Sequence, residues 1–180
     1  MRYRALATIL FVIVGLALIG TGSMAAASRA DELAPIRAAT VAFHDVDAAK
    51  AAGYQLGYVN GAGRLIINGC ISNAANPAAG AMGYHYFNKA LIDDMVVDEL
   101  HPEGLVYGPG PDGTLQLGAV EYVVPGPNSN PAGPARVPSV LGEPMHILVP
   151  AVGFYIRHVW LWRHNPSGMF SDWSPEVSCP

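Results

Sequence analysis

Apolar and polar positions change period near residue 54, from a three- and four-residue repeat to alternation with a period of two. In residues 31–53, Leu33, Ile36, Thr40, Phe43 and Val46 recur at helical spacing among many alanines. Asp45 is placed to cap a second short helix over 48–52, which Gly53 would end. Beyond it the clearest alternation is FYIRHVWLWR, residues 154–163. It sets Tyr155, Arg157, Val159, Leu161 and Arg163 on one side and Ile156, His158, Trp160 and Trp162 on the other. Burial of the second side places a histidine among aromatics.

Two earlier runs show the same anomaly. His85 shares a face with Gly83 and Phe87 in GYHYF, and Glu121 shares one with Leu115, Leu117, Ala119 and Val123 in LQLGAVEYVV. The remaining pattern predicts a hairpin from 58–60 and 64–67 about a glycine turn, and a strand at 82–87. It also predicts a short helix within 88–100, a hairpin from 105–107 and 115–124, and strands at 145–149 and 154–163. Residues 108–113 spell G-x-G-x-x-G, but two prolines and a following strand specify a turn rather than a dinucleotide fingerprint. The fold class expected is α+β: an antiparallel sheet or small β-barrel with an N-terminal helix or helix pair packed on it. The proline-rich stretch 125–144 is too long for a bare connection and is expected to lie over the site as a binding loop or lid.

The first thirty residues change the picture of where this domain works. Arg2 and Arg4 precede an apolar run over 5–19, and Ala25, Ala27 and Ala30 suit a signal peptidase. We read residues 1–30 as a secretory signal peptide, cleaved after Ala27 or Ala30, and residues 31–180 as one exported globular domain. The competing reading is a leader retained as a membrane anchor, since 5–28 carries no charge. Removing 1–30 takes Arg2, Arg4 and Arg29 from the ten basic residues and none of the fourteen acids, which leaves a net charge of −7. With no basic stripe, nucleic acid is an unsuitable partner. Cys70 and Cys179 are the two cysteines, and in an oxidising, extracytoplasmic compartment they are expected to pair.

The candidate chemistry follows from the three odd residues. Two histidines and one carboxylate from three strands suit one divalent transition metal (zinc, iron, copper or manganese), with positions left open for water or substrate. His85, Glu121 and His158 are the primary ligand candidates, and His146, one strand earlier, is a fourth. A metal-free alternative uses Glu121 and His158 as an acid–base pair. Against both stands the ordinary reading, in which each histidine bonds a backbone carbonyl or tyrosine and Glu121 pairs with Arg157 or Arg64. Tyr84, Trp160 and Trp162, with other aromatics, suggest instead a binding module with an aromatic pocket for a small molecule. A third class is an envelope interaction protein with an exposed patch about Trp173.

The blocks GAMGYHYFN, LVYGPGPDG with LQLGAVEYVVP, and HVWLWRHNPSGMFSDWSPEVSC resemble a family of short exported bacterial proteins with no assigned activity. The resemblance implies one domain with an N-terminal helix and a β-rich body. It carries no reaction and no catalytic residues.

Overall fold

A computed structural model describes residues 22–60, 63–150 and 152–180. The signal peptide expected from the sequence lies mostly outside these residues. Helix α1 (Gly22–Thr40) runs through both candidate cleavage points, and no helix among the described residues is long and apolar enough to cross a membrane. A 3-10 turn (Val41–His44) leads to α2 (Val46–Ala51), where the Asp45 side chain accepts from the Asp47 N–H as an N-cap. Gly53, at φ +99°, ends the helix in a conformation that a side chain would strain.

The strands follow as β1 (Tyr54–Leu56), β2 (Tyr58–Val59), β3 (Leu65–Ile67), β4 (Cys70–Ser72) and β5 (Ala81–Asn88). A short α3 (Lys89–Asp93) precedes β6 (Gly104–Pro109) and β7 (Leu115–Pro125). Then come β8 (Ser139–Val140), β9 (Glu143–Pro144), β10 (His146–Ile147) and β11 (Phe154–Val159). Seven of these form one antiparallel sheet in the order β1, β5, β6, β7, β11, β10, with β4 sharing the outer edge of β5 with β1. β2 pairs with β3 in the hairpin read from the sequence, and β8 pairs with β9. The α+β class is as expected; the barrel is not. β10 and β1 are the ends of an open order, so the sheet does not close. The helix expected within 88–100 also stops early, since Asp94 caps α3 and Met95 takes a left-handed φ of 61°.

The sheet has two distinct faces. One carries Tyr86, Leu105, Tyr107, Val120, Tyr122, Val124, Tyr155 and Val159 against Leu33 and Ile36 of α1 and Ala49 of α2. The other carries His85, Phe87, Val106, Ala119, Glu121, Val123, Ile156, His158 and Trp160; of the helices only the short α3 packs there among the described residues, through Ile92 beside Phe87 and Val123. A β-bulge at Gly118 corrects the simple alternation. Val106 faces Ala119 but Tyr107 faces Leu117, so Gly118 is an extra residue and Leu117 joins the helix face. Glycine is needed there because a Cβ would stand 3.2 Å from the Trp160 ring. The Gly118 carbonyl accepts from the N–H groups of both Trp162 and Arg163, which breaks strand pairing and ends β11 at Val159.

A C-terminal tail covers part of the open face. Ser174 bridges Ala81 on β5, Trp160 donates its Nε1–H to the Ser171 carbonyl, and Cys179 is bonded to Cys70 on β4. The disulfide expected from the cysteine count is therefore present.

Candidate metal centre

Residues 85, 121 and 158 meet because of register. His158 on β11 stands opposite Glu121 on β7, and Glu121 stands opposite Gly104 on β6. Gly104 in turn faces Phe87 on β5. A side chain at 104 would put its Cβ 3.1 Å from both the Glu121 Cβ and the Phe87 ring. Glycine leaves that place empty, and His85 reaches over β6 to the other two. Phe87 stacks on the His85 ring at 5.8 Å between centroids and fixes its plane.

The ligand atoms form a small triangle. His85 Nε2 lies 3.3 Å from His158 Nε2 and 3.6 Å from Glu121 Oε2, and His158 Nε2 lies 3.7 Å from Glu121 Oε1. All three side chains are within 5 % of complete burial. The opposite nitrogen of each ring is already bound. His85 Nδ1 is 3.2 Å from the Gly83 carbonyl, and His158 Nδ1 is 3.2 Å from Asp172 Oδ1. A carbonyl and an ionised carboxylate accept only, so each Nδ1 carries a hydrogen. When a ring is neutral, its Nε2 then points a bare lone pair into the triangle. Glu121 Oε2 adds a buried oxygen that no described residue donates to. Three acceptors facing one another repel unless a metal ion or a proton stands between them.

The electrostatics express the same demand. Burial lowers His85 to about 3, helped by the neighbouring His158 charge, against the Gly83 carbonyl that favours its protonated form. Burial lifts Glu121 to about 7, although the His158 charge pulls it down. His158 resists burial, because the Glu121 charge and the Asp172 hydrogen bond and charge raise it above its ordinary value. Burial would also raise Asp172, but His158 and His146 hold that carboxyl below the usual range.

His146 is not part of the triangle. Its Nε2 lies 2.9 Å from Asp172 Oδ2, so it holds the far side of the carboxylate that orients His158. Asp172 is the residue that sequence reading missed. It sits in an irregular tail with no periodicity to assign it a face, and only the position of Cys179 hinted that this tail is tied down. Neither arginine considered for Glu121 pairs with it: Arg157 donates to the Phe170 and Pro144 carbonyls, while Arg64 lines a separate groove.

A cavity of about 470 Å³ opens onto the centre, with His85 and Glu121 in its floor. Tyr84, Trp160 and Trp162 do not line it; the aromatic walls are Phe87, Phe154 and Trp173. Tyr84 packs with the helix-face core, Trp160 packs beside Ala119 under the tail, and Trp162 turns past the bulge to donate to Thr40 Oγ1. The 125–144 segment is not the lid either. The rim comes from Leu148, Val149 and Val152, while Asn128, Ser129 and Asn130 line the second, larger groove. Ser129 bonds the Val152 carbonyl and Gly126 bonds that of Gly153, so the proline-rich segment buttresses the rim from outside.

No family model matches this chain, and no curated protein or solved structure matches it significantly.

Proposed function

We propose that this is an exported metal-binding protein with a mononuclear centre held by His85 Nε2, His158 Nε2 and Glu121, and that it acts on or captures a small molecule. The observation that carries the reading is the triangle of acceptors, with both Nδ1 atoms committed as donors. Ligand atoms about 2.0–2.1 Å from a tetrahedral ion stand roughly 3.3–3.4 Å apart, while adjacent ligands of an octahedral ion stand about 3.0 Å apart. The His85–His158 spacing of 3.3 Å matches the tetrahedral case, and Glu121 offers Oε2 to His85 at 3.6 Å and Oε1 to His158 at 3.7 Å. Zinc is therefore the ion of first choice, ahead of iron, copper and manganese. Three protein ligands leave the fourth position to water or to a molecule in the cavity, where the ion would act as a Lewis acid. Asp172 supports the set by fixing the His158 tautomer. Export is supported by the disulfide and by the leader-like first thirty residues.

The raised proton affinity of His158 supports a second reading, in which a proton replaces the ion and Glu121 and His158 form an acid–base pair. Elemental analysis separates the two. The domain is purified with its disulfide intact, as the native chain and as His158→Ala, and incubated with zinc, iron, copper and manganese in turn. One equivalent of metal in the native chain, lost in the variant, is the expected result. Metal in neither leaves the acid–base pair as the surviving reading.

A further inference from the structure

We infer, resting on the metal reading above, that the molecule received at this centre has an apolar body and one terminal oxygen-donor group, of the carboxylate or hydroxamate kind, which completes the ion's coordination. The cavity volume of about 470 Å³ falls within the roughly 300–1,000 Å³ typical of small-molecule sites. Among the described residues that line it, the side chains able to hydrogen-bond besides His85 and Glu121 are the exposed Asn68 and the indole N–H of Trp173. No Lys or Arg among the described residues lines it. A second charged group on the ligand would be desolvated inside without a partner, which excludes dianions and zwitterions lying along the walls. Apolar walls reward hydrocarbon instead: Phe87 and Val123 lie beside the floor and Leu148 and Val152 at the rim.

The neighbouring groove makes the contrast. It measures about 860 Å³ and offers Arg64, Lys89, Asp93 and Ser129, the groups that a charged ligand requires. Yet none of His85, Glu121 or His158 lines it. Polar recognition and metal ligation are thus kept apart in this fold. The charge at the centre agrees: a divalent ion with ionised Glu121 and Asp172 is neutral overall, so it does not require a multiply charged ligand.

The test uses cobalt as the ion, on the full domain with its disulfide intact, and straight-chain alkyl hydroxamates from two to eight carbons as probes. Cobalt is first added alone, and its visible absorption bands report whether the centre binds it. Each hydroxamate is then titrated into cobalt-loaded protein. We expect the bands to shift on ligation and the dissociation constant to fall about fourfold per added methylene until the cavity is full. Leu148→Asp and Val152→Asp, both at half-exposed rim positions, are titrated in the same way at saturating cobalt and should flatten that dependence. Cobalt bands that do not respond to hydroxamate, or a dissociation constant independent of chain length, overturn the inference while leaving the metal centre intact. A chain-length dependence unchanged in both rim variants also overturns it, since binding would then lie elsewhere. Absence of protein-bound cobalt bands sinks the metal reading itself, and the inference with it.

Discussion

Replacing Asp172 by asparagine removes one negative charge while nearly preserving shape, and it isolates the role of a residue outside the proposed ligand set. In the native chain Asp172 accepts from His158 Nδ1 at 3.2 Å and from His146 Nε2 at 2.9 Å. The carboxylate both fixes the proton on Nδ1 and makes Nε2 a better donor to a metal. Losing such a partner typically weakens metal binding by about 10–100-fold, or roughly 1.4–2.7 kcal/mol. The assay is competition for zinc against a chromophoric chelator, paired with melting curves with and without zinc. At zinc 100-fold above the native dissociation constant, the native fold gains about 2.7 kcal/mol; the variant at the same zinc should gain only about 0.4–1.4 kcal/mol. His146→Ala leaves the His158 bond in place and should weaken zinc by no more than about threefold, below the range for a lost carboxylate. A merely structural Asp172 would lower the melting point of the metal-free variant and leave the zinc-dependent gain unchanged. That result, with a folded variant binding zinc like the native chain, would refute the reasoning.

Other perturbations test the frame around the centre. Gly104→Ala places a methyl 3.1 Å from the Glu121 Cβ and the Phe87 ring, so it should destabilise the fold by about 1–3 kcal/mol and weaken zinc, both read from melts with and without the ion. Glu103 is 1 % exposed, and burial raises it to about 8 despite the hydrogen bond it accepts from the Val123 N–H. Because its folded pKa lies above the unfolded one, it contributes stability fully present below about 4.5 and lost as pH rises towards 8, of order 4–5 kcal/mol at most. Glu103→Gln should therefore raise the midpoint of urea unfolding at pH 8 more than at pH 5; an equal change at both pH values would reject that account. Cys70→Ala with Cys179→Ala opens a loop of 109 residues and should cost about 2–5 kcal/mol. It should also weaken zinc, because the freed tail carries Asp172, and limited proteolysis should then cut first between residues 164 and 180.

Much of this centre was legible from periodicity alone. A strand turns alternate side chains to one face, so an ionisable residue on an apolar face declares that it needs a partner. That argument nominated His85, Glu121 and His158 from runs far apart in sequence, and the tertiary structure brings their polar atoms to 3.3–3.7 Å of one another. The α+β class, the Asp45 cap, the two hairpins and the disulfide rest on equally local rules of spacing, turn chemistry and cysteine count. What failed was whatever depended on register between strands. Gly118 adds one residue to β7 and reverses which face Leu117 serves; the chain beyond Val159 then turns, carrying Trp162 to the helix side. Of the aromatics expected to form a pocket, Trp162 leaves with that turn, while Trp160 lies under the tail and Tyr84 faces the helix-side core. The vacancy at Gly104 has no signature of its own, since glycine is common throughout this chain and only its neighbours across β5 and β7 make it matter. Asp172 and the rim residues Leu148, Val149 and Val152 lie in irregular segments, whose positions come from bonds to distant carbonyls and to Cys70 rather than from any repeat. Local sequence thus determined which side chains required partners. Long-range strand pairing and a tied-down tail decided which partners they received, because those contacts join residues whose separation along the chain carries no periodic signal.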